Sequence, residues 1–449
     1  MHRKRLQGMP AFIIVWFGQL ISLMGSSMTG FALTIFAWQI SGKATNLALV
    51  GFFSFAPTVL FSPIAGALVD RWNKKLVMML SDLAAGLITI LILVLYHFDV
   101  LQIWHLMATG FISGTFQSFQ FPAYSSAISV MIPKKQFTRA SSMLSLAEVG
   151  PGVLSPVLAG ALIGIIGIRG ILLIDIVTFV FAISTLLVIF IPPVPPSKEG
   201  SEGKGSLLRE AWYGFEFILK RPSLLGLQLV FFVGNFFSSF MWVLMSPAIL
   251  ARTGDNTIIL GSVQSVASIG GVLGGLAVSI WGGFKRKIIG VLTGWALSGL
   301  FMVGFGLGRE AIPWAIAVFL LQLSVMIVNP SNQAIWQSKV PPDVQGRVFS
   351  VRRMIAQISA PLAMLISGPL ADFVFEPAMQ NQDHLLHSIL GPIFGTGPGA
   401  GMGMLISLAG LLTILVGLIP FGIPRIRQVE TLLPDFDAPP SPSTSSNPS

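Results

Sequence analysis

The stretch GALVDRWNKKL, residues 66–76, breaks sharply from its surroundings. LALVGFFSFAPTVLFSPIA (47–65) precedes it without a single charge, and a second long apolar run follows. About 20 apolar residues cross a ~30 Å hydrocarbon layer as a helix. The charged stretch therefore reads as a short turn at a membrane surface, joining two spans that run in opposite directions. The same rhythm recurs along the chain. Turn signals and charges divide its 449 residues into twelve apolar segments: roughly 12–40, 47–69, 76–95, 101–131, 140–168, 170–191, 223–250, 258–281, 288–308, 311–338, 348–374 and 400–423. Only 10% of residues are charged and 53% are hydrophobic, whereas soluble domains carry about 25% charged residues. The expected fold class is all-α, a polytopic membrane protein of twelve transmembrane helices.

The N-terminal apolar run continues to Ile40, about twice the length of a signal-peptide core, so it reads as the first span. With no cysteine, disulfide frameworks, thiolate zinc sites and cysteine nucleophiles are excluded. The net charge of +9 does not imply a nucleic-acid partner, because the basic residues sit in short loops. The N-terminus, every second loop and the C-terminus hold 23 of the 27 Lys and Arg; the alternate loops hold only Lys43, Arg169, Arg252 and Arg309. This asymmetry predicts a multi-pass protein of the plasma (inner) membrane with both termini cytoplasmic. EGSEGKGS (199–206) has the wrong spacing for a phosphate loop and no strand before it, so neither a nucleotide nor any other cofactor is expected.

Between Pro192 and Pro222 the chain changes to PPVPPSKEGSEGKGS and then LLREAWYGFEFILK. The first piece reads as a flexible linker and the second as an amphipathic helix on the membrane surface. Expected domains are an N-terminal six-helix bundle (1–191), this cytoplasmic linker (192–222), a C-terminal six-helix bundle (223–424) and a disordered cytoplasmic tail (425–449). A shift of 208 residues places Gly66 on Gly274, Pro122 on Pro330, Pro133 on Pro341, Arg139 on Arg347 and Gly160 on Gly368. Two six-span repeats lie parallel in the membrane, which predicts cargo bound between the halves near mid-membrane.

This arrangement resembles the major facilitator superfamily. The superfamily's loop pattern G-x-x-x-D-R-x-G-[RK]-[RK] is matched by Gly66, Asp70, Arg71, Lys74 and Lys75, with Asn73 where glycine is usual. Asn is the next-best residue for a left-handed turn. Within the superfamily, ISGPLADFVFEPAM (366–379), GTGPGAGMGMLISLAG (395–410) and the pairing of DRWNKK with Asp82 are similar to the macrolide-efflux branch of multidrug exporters. The resemblance implies that Asp70 meets the start of the eleventh helix and latches the outward-facing state, with Arg347, Arg352 and Arg353 adding charge pairing. Val278 stands at the matching Asp position of the second half, so the latch is one-sided.

Polar stripes mark four helices: Gln19, Ser22, Ser26 and Thr29, every three or four residues, in the first; Ser113, Gln117, Gln120 and Tyr124 in the fourth; Gln228, Phe232, Asn235, Ser239 and Trp242 in the seventh; Gln322, Asn329 and Gln333 in the tenth. Such stripes face protein or water rather than lipid, and helix packing is an alternative use for them. In the superfamily these four helices line the cavity. The stripes contain neither carboxylate nor base, which suits a small amphiphilic substrate held by neutral hydrogen-bonding groups. Ionisable residues within spans are Asp82, Glu148, Asp175, Arg352, Arg353 and Asp372. Glu148 lies about 13 Å along its helix from Arg139, which makes it the first proton-coupling candidate, with Asp82 next. The leading reading is a secondary active exporter of amphiphilic small molecules by alternating access, with proton antiport as one way to drive it. Export of an endogenous siderophore or lipid-like compound is the alternative, and a membrane-embedded enzyme or a receptor is more remote. No metal site is expected, since His384 and His387 read as an exposed polar face.

Overall fold

The computed structural model describes residues 8–132, 136–189, 207–341, 344–433 and 435. The protein is an all-α polytopic membrane protein. Its first long helices are α1 (Met9–Ser41), α2 (Ala44–Arg71), α3 (Lys74–His97) and α4 (Ile103–Met131). The run Phe137–Val188 breaks at Gly167 (φ 67°, ψ 178°) into α5 (137–166) and α6 (168–188). Backbone there lies in a region open to glycine and hardly to any other residue, so a single Gly turns one span into the next. After α7 (Leu207–Leu219) come α8 (Pro222–Thr253), α9 (Thr257–Trp281), α10 (Lys287–Leu307), α11 (Ala311–Lys339) and α12 (Gln345–Leu370). A π turn at Ala371–Phe375 continues α12 into α13 (Glu376–Gln380), followed by α14 (Leu385–Phe394), α15 (Ala400–Leu418), α16 (Pro424–Arg427) and α17 (Val429–Leu432). Ten helical runs are long and apolar enough to span a membrane, one of them holding both α5 and α6. Counting that pair separately and adding α4, whose middle carries Ser113, Gln117, Ser118 and Gln120, there are twelve long helices among the described residues.

Contacts divide these helices into two sets. In the first, α1 packs on α5 and α6, α2 on α4, and α3 on α4 and α6; in the second, α10 packs on α11 and α15, α9 on α11, and α8 on α12 and α15. Two seams join the sets, α5 against α9 and α2 against α12. Large apolar side chains such as Ile165, Val177 and Ile280 remain exposed around the outside, where hydrocarbon rather than water is their solvent.

We call the end bearing the 71–75 and 285–287 loops the basic end and its opposite the distal end. At the basic end the structure corrects two expectations. Asn73 (φ −66°) is not left-handed; its side chain accepts from Leu76 N at 3.3 Å and caps α3, the ordinary use of Asn before a helix. The segment from residue 425, expected to be disordered, instead forms α16 and α17 and docks through residue 433. Ile426 packs on Gly226, Val429 is buried, and the Glu430 carboxylate accepts from Lys287 N and Ile288 N, each at 3.0 Å. Lys339 Nζ binds Glu430 O (2.5 Å), Leu433 O (2.6 Å) and Asp435 Oδ1 (2.7 Å). Ile426, Val429 and Leu433 recur at helical spacing ahead of the Pro/Ser-rich stretch, and that apolar face is what docks, while Leu432 stays exposed. The expected linker at 192–206 lies outside the described residues, whereas α7 packs on α12, with Gly214 against Arg347 and Val351, and leaves Trp212 exposed.

Candidate functional site

At the distal end the halves are hydrogen-bonded to each other beside a pocket of about 550 Å³ whose wall includes Trp38, Asp255 and Asp372. On the α2–α12 seam Asp372 accepts from Ala44 N (3.0 Å), Thr45 N (2.7 Å) and Thr45 Oγ1 (2.6 Å), so a carboxylate of the second half caps a helix of the first. A carboxylate at a helix N-terminus is favoured by up to ~2 kcal/mol when partly buried. Beside it Gly368 abuts the backbone of Thr45, where a Cβ would lie only 2.7 Å from Thr45 Cα. On the α5–α9 seam the repeat-related Gly160 accepts from Thr257 Oγ1 at 2.9 Å, and Gly152 O accepts from Ser268 Oγ at 2.8 Å. Trp38 Nε1 donates to Asp255 Oδ1 at 2.8 Å across the same end. Sequence reasoning passed over Asp372 as a site residue; its legible signal is an acidic residue beside a helix start across a predicted inter-half interface.

Toward the basic end, α8, α11 and α12 border a cavity of about 710 Å³. Gln228, Asn235, Asn329 and Gln333 line it, whereas Ser239, Trp242 and Gln322 of the same stripes are not on its described wall. Arg352 and Arg353 line it too, so this cavity is not the neutral one the stripes implied. Those two arginines stand on α12, which no stripe included. Arg352 Nη2 donates to Gln333 Oε1, and the guanidinium carbon lies 5.5 Å from the Trp336 ring centroid and 5.1 Å from that of Phe349. Gln228 Nε2 donates to Arg352 O at 3.2 Å. Arg352 Nη1 is buried with no acceptor. A buried charged donor left without an acceptor costs at least about 1–3 kcal/mol.

The stripes of α1 and α4 turn elsewhere, into the interior of the first half. Gln19 Nε2 donates to Asp82 Oδ2 (2.7 Å) and Gln120 Nε2 to Asp82 Oδ1 (2.6 Å), with Gln117 on the wall of the same pocket. Asp82 is only 3% exposed, so it is enclosed and does not reach water at the surface. Tyr124 Oη is buried nearby on α4 without a partner. Farther toward the distal end, Asp175 accepts from Ser26 Oγ (3.1 Å) and Thr89 Oγ1 (2.9 Å). Two adjoining pockets, of about 80 and 310 Å³, share Ser26, Thr89, Ser113 and Asp175, and among the described residues neither wall contains Lys or Arg. Two carboxylates therefore sit in the membrane interior with neutral donors as their partners among the described residues. An isolated charge there is costly, so such groups tend to take up and release protons.

The other expected site residues scatter. Glu148 is exposed on α5 rather than enclosed; depth along a helix does not say which way a side chain faces. Gln322 faces α9, near Gly271, and Trp242 is 39% exposed on α8. The side chains of Gly66, Asp70 and Arg71 lie outside the described part. Lys74 is buried, its Nζ donating to Val69 O and, at 3.3 Å, to Trp72 O, while Lys75 Nζ donates to Ile189 O at 2.6 Å. Both lysines thus satisfy carbonyls at helix ends. Arg347 lies over the Tyr213 ring of α7, 5.9 Å from its centroid. His384 caps α14 and His387 Nδ1 contacts Met379 O; among the described residues no cluster could hold a metal.

Residues 15–364 match the family model of the Major Facilitator Superfamily. Macrolide efflux protein A of Streptococcus pyogenes is 25% identical over 372 residues, covering 80% of this chain and 89% of that protein. Multidrug efflux pump Tap of Mycolicibacterium fortuitum is 22% identical over 446 residues, covering 93% of this chain and 97% of the relative. Among solved structures, a bacterial homologue of the human lysosomal transporter Spinster, inward-facing and unoccupied, superposes with a TM-score of 0.70 at 15% identity, over 95% of this chain and 98% of that one.

Proposed function

The chain belongs to the major facilitator superfamily of membrane transporters, and we propose that it is a secondary active exporter of amphiphilic small molecules, working by alternating access. The observation that carries this reading is the contrast between its ends: three hydrogen-bonded contacts, Asp372 to Ala44 and Thr45, Thr257 to Gly160 and Trp38 to Asp255, tie the halves together at the distal end, and a cavity of about 710 Å³ lies toward the basic end. The excess of Lys and Arg puts the basic end in the cytoplasm, so this is the state that loads cargo from inside. Rocking of the 1–191 bundle against the 223–424 bundle, with 192–222 as the tether, breaks the distal contacts and delivers cargo outside. The efflux names of the relatives agree in direction.

Coupling falls to Asp82, with protons as the driving ion. A proton-motive force of 100 mV supplies about 2.3 kcal/mol per charge, and a tenfold gradient costs about 1.4 kcal/mol. One proton exchanged for one neutral cargo therefore sustains an export gradient of roughly fortyfold. The test is efflux of the fluorescent amphiphile N-phenyl-1-naphthylamine from cells loaded while de-energised and then re-energised. Expressing cells should lose the dye faster than control cells, and a protonophore should abolish the difference. Equal rates, or accumulation of dye, would refute export.

A further inference from the structure

The basic-end cavity has a charge that neutral amphiphile export does not use. Arg352 and Arg353 stand on its wall, and among the described residues that wall contains no Asp or Glu. Among the described carboxylates of the first half, Asp82 and Asp175 do not compensate, because they are enclosed in pockets of their own bundle and bound there by amides and hydroxyls. Arg352 is held without being neutralised: Trp336 and Phe349 flank its guanidinium, Gln333 takes one N–H, and Nη1 has no acceptor. Aromatic rings position a guanidinium by its charge and leave that charge in place.

From this we infer that the cargo bears an anionic oxygen group, a carboxylate or sulfonate on an apolar body, and that Arg352 receives it. The inference rests on the exporter reading and specifies the substrate class of the same cavity. A guanidinium presents N–H donors in a planar fork that matches two oxygens of such a group. Arg352 is only partly buried, so its head can turn toward an anion that enters the cavity, and turning gives Nη1 the acceptor it lacks. The Asn235 and Asn329 amides lie on the same wall as further donors, and Phe231 and Phe349 offer apolar surface for the body. Arg353, exposed beside it, adds positive potential at the mouth and attracts anions into the cavity. A cationic amphiphile meets like charge on the same wall.

The matched probes are 1-anilinonaphthalene-8-sulfonate and N-phenyl-1-naphthylamine, the same aromatic skeleton with and without a sulfonate. Their binding to the purified full chain in zwitterionic-lipid nanodiscs is read by quenching of tryptophan fluorescence, with empty nanodiscs subtracted. The sulfonate should bind at least tenfold more tightly. Arg352→Gln should erase that preference, bringing the affinities of the two probes within about twofold of each other, whereas Arg352→Lys, which keeps the charge and loses the fork, should retain part of it. Equal affinities in the wild-type protein overturn the inference without any variant, so poor folding of Arg352→Gln does not shield it. Equal affinities are also the result if Arg352 serves only as a latch toward the other half. Efflux of the neutral probe without a sulfonate preference would leave the exporter standing and remove the anion site; no efflux of either would remove the exporter itself.

Discussion

The two halves use one architecture for opposite electrostatics. In the first, α1 and α4 turn their polar stripes inward and enclose Asp82 and Asp175 among neutral donors. In the second, α8 and α11 turn theirs toward a cavity whose charges are Arg352 and Arg353. The 208-residue repeat marks where they part: Asp82 falls on Gly290, while Arg352 and Arg353 fall on Leu144 and Ser145. The repeat also preserves what builds the frame. Gly160 and Gly368 each admit the start of a helix from the other half, Thr257 and Thr45 respectively. Shared positions make the fold, and diverged positions make one half acidic inside and the other basic. This division suggests that the first half carries the coupling proton and the second the cargo.

The harshest way to break the comparison is Asp82→Asn. It should lower uphill efflux more than tenfold while downhill movement and cargo binding persist, since Gln19 and Gln120 can still bond the new amide. Uphill efflux within twofold of wild type would remove coupling from the first half. A smaller effect is expected from Asp372→Asn, which takes the charge from the cap on α2. A loss of about 1–2 kcal/mol there shifts the ratio of distal-closed to distal-open protein by roughly five- to thirtyfold. Faster reaction of a Gly51→Cys thiol with an impermeant maleimide applied outside would report it, and an unchanged rate would mean that Asp372 does not hold the end shut. Glu430→Ala removes the cap of α10 and should cost about 1 kcal/mol of stability, read as a drop of a few degrees in the apparent Tm with coupling unchanged. The smallest effect belongs to Glu148→Gln. Exposed on α5, Glu148 is expected to leave uphill efflux within twofold, and loss of uphill transport would return the coupling role to it.

Frame and site were unequally legible in the sequence. Span length, loop charge and the repeat suffice for the helices, because each depends on composition over about 20 residues. Gln228, Asn235, Asn329 and Gln333 were found by periodicity, which reports a shared helix face. What periodicity does not report is where that face points. The same spacing brought Gln19 and Gln120 onto a buried carboxylate of their own half, and Glu148 was placed by depth when its direction mattered. Arg352 and Asp372 sit on a helix with no polar stripe, so their roles appear only when α12 is seen against α11 on one side and α2 on the other. The docked tail was hidden by its neighbours, since the Pro/Ser-rich composition beyond it outweighs three apolar residues at helical spacing.

The central claim is that the distal end opens during transport. Gly51 on α2 and Met364 on α12 face each other across the seam; a Cβ on Gly51 would meet the Met364 sulfur at 3.6 Å, an ordinary contact. Since the chain has no cysteine of its own, Gly51→Cys with Met364→Cys supplies a unique thiol pair for a short bridging reagent such as dibromobimane. The decisive measurement is efflux of N-phenyl-1-naphthylamine by the double variant before and after bridging, with each single variant as control. The account predicts transport near wild type in the unbridged double variant and none once the pair is joined. Transport at an undiminished rate through the bridged protein would contradict it.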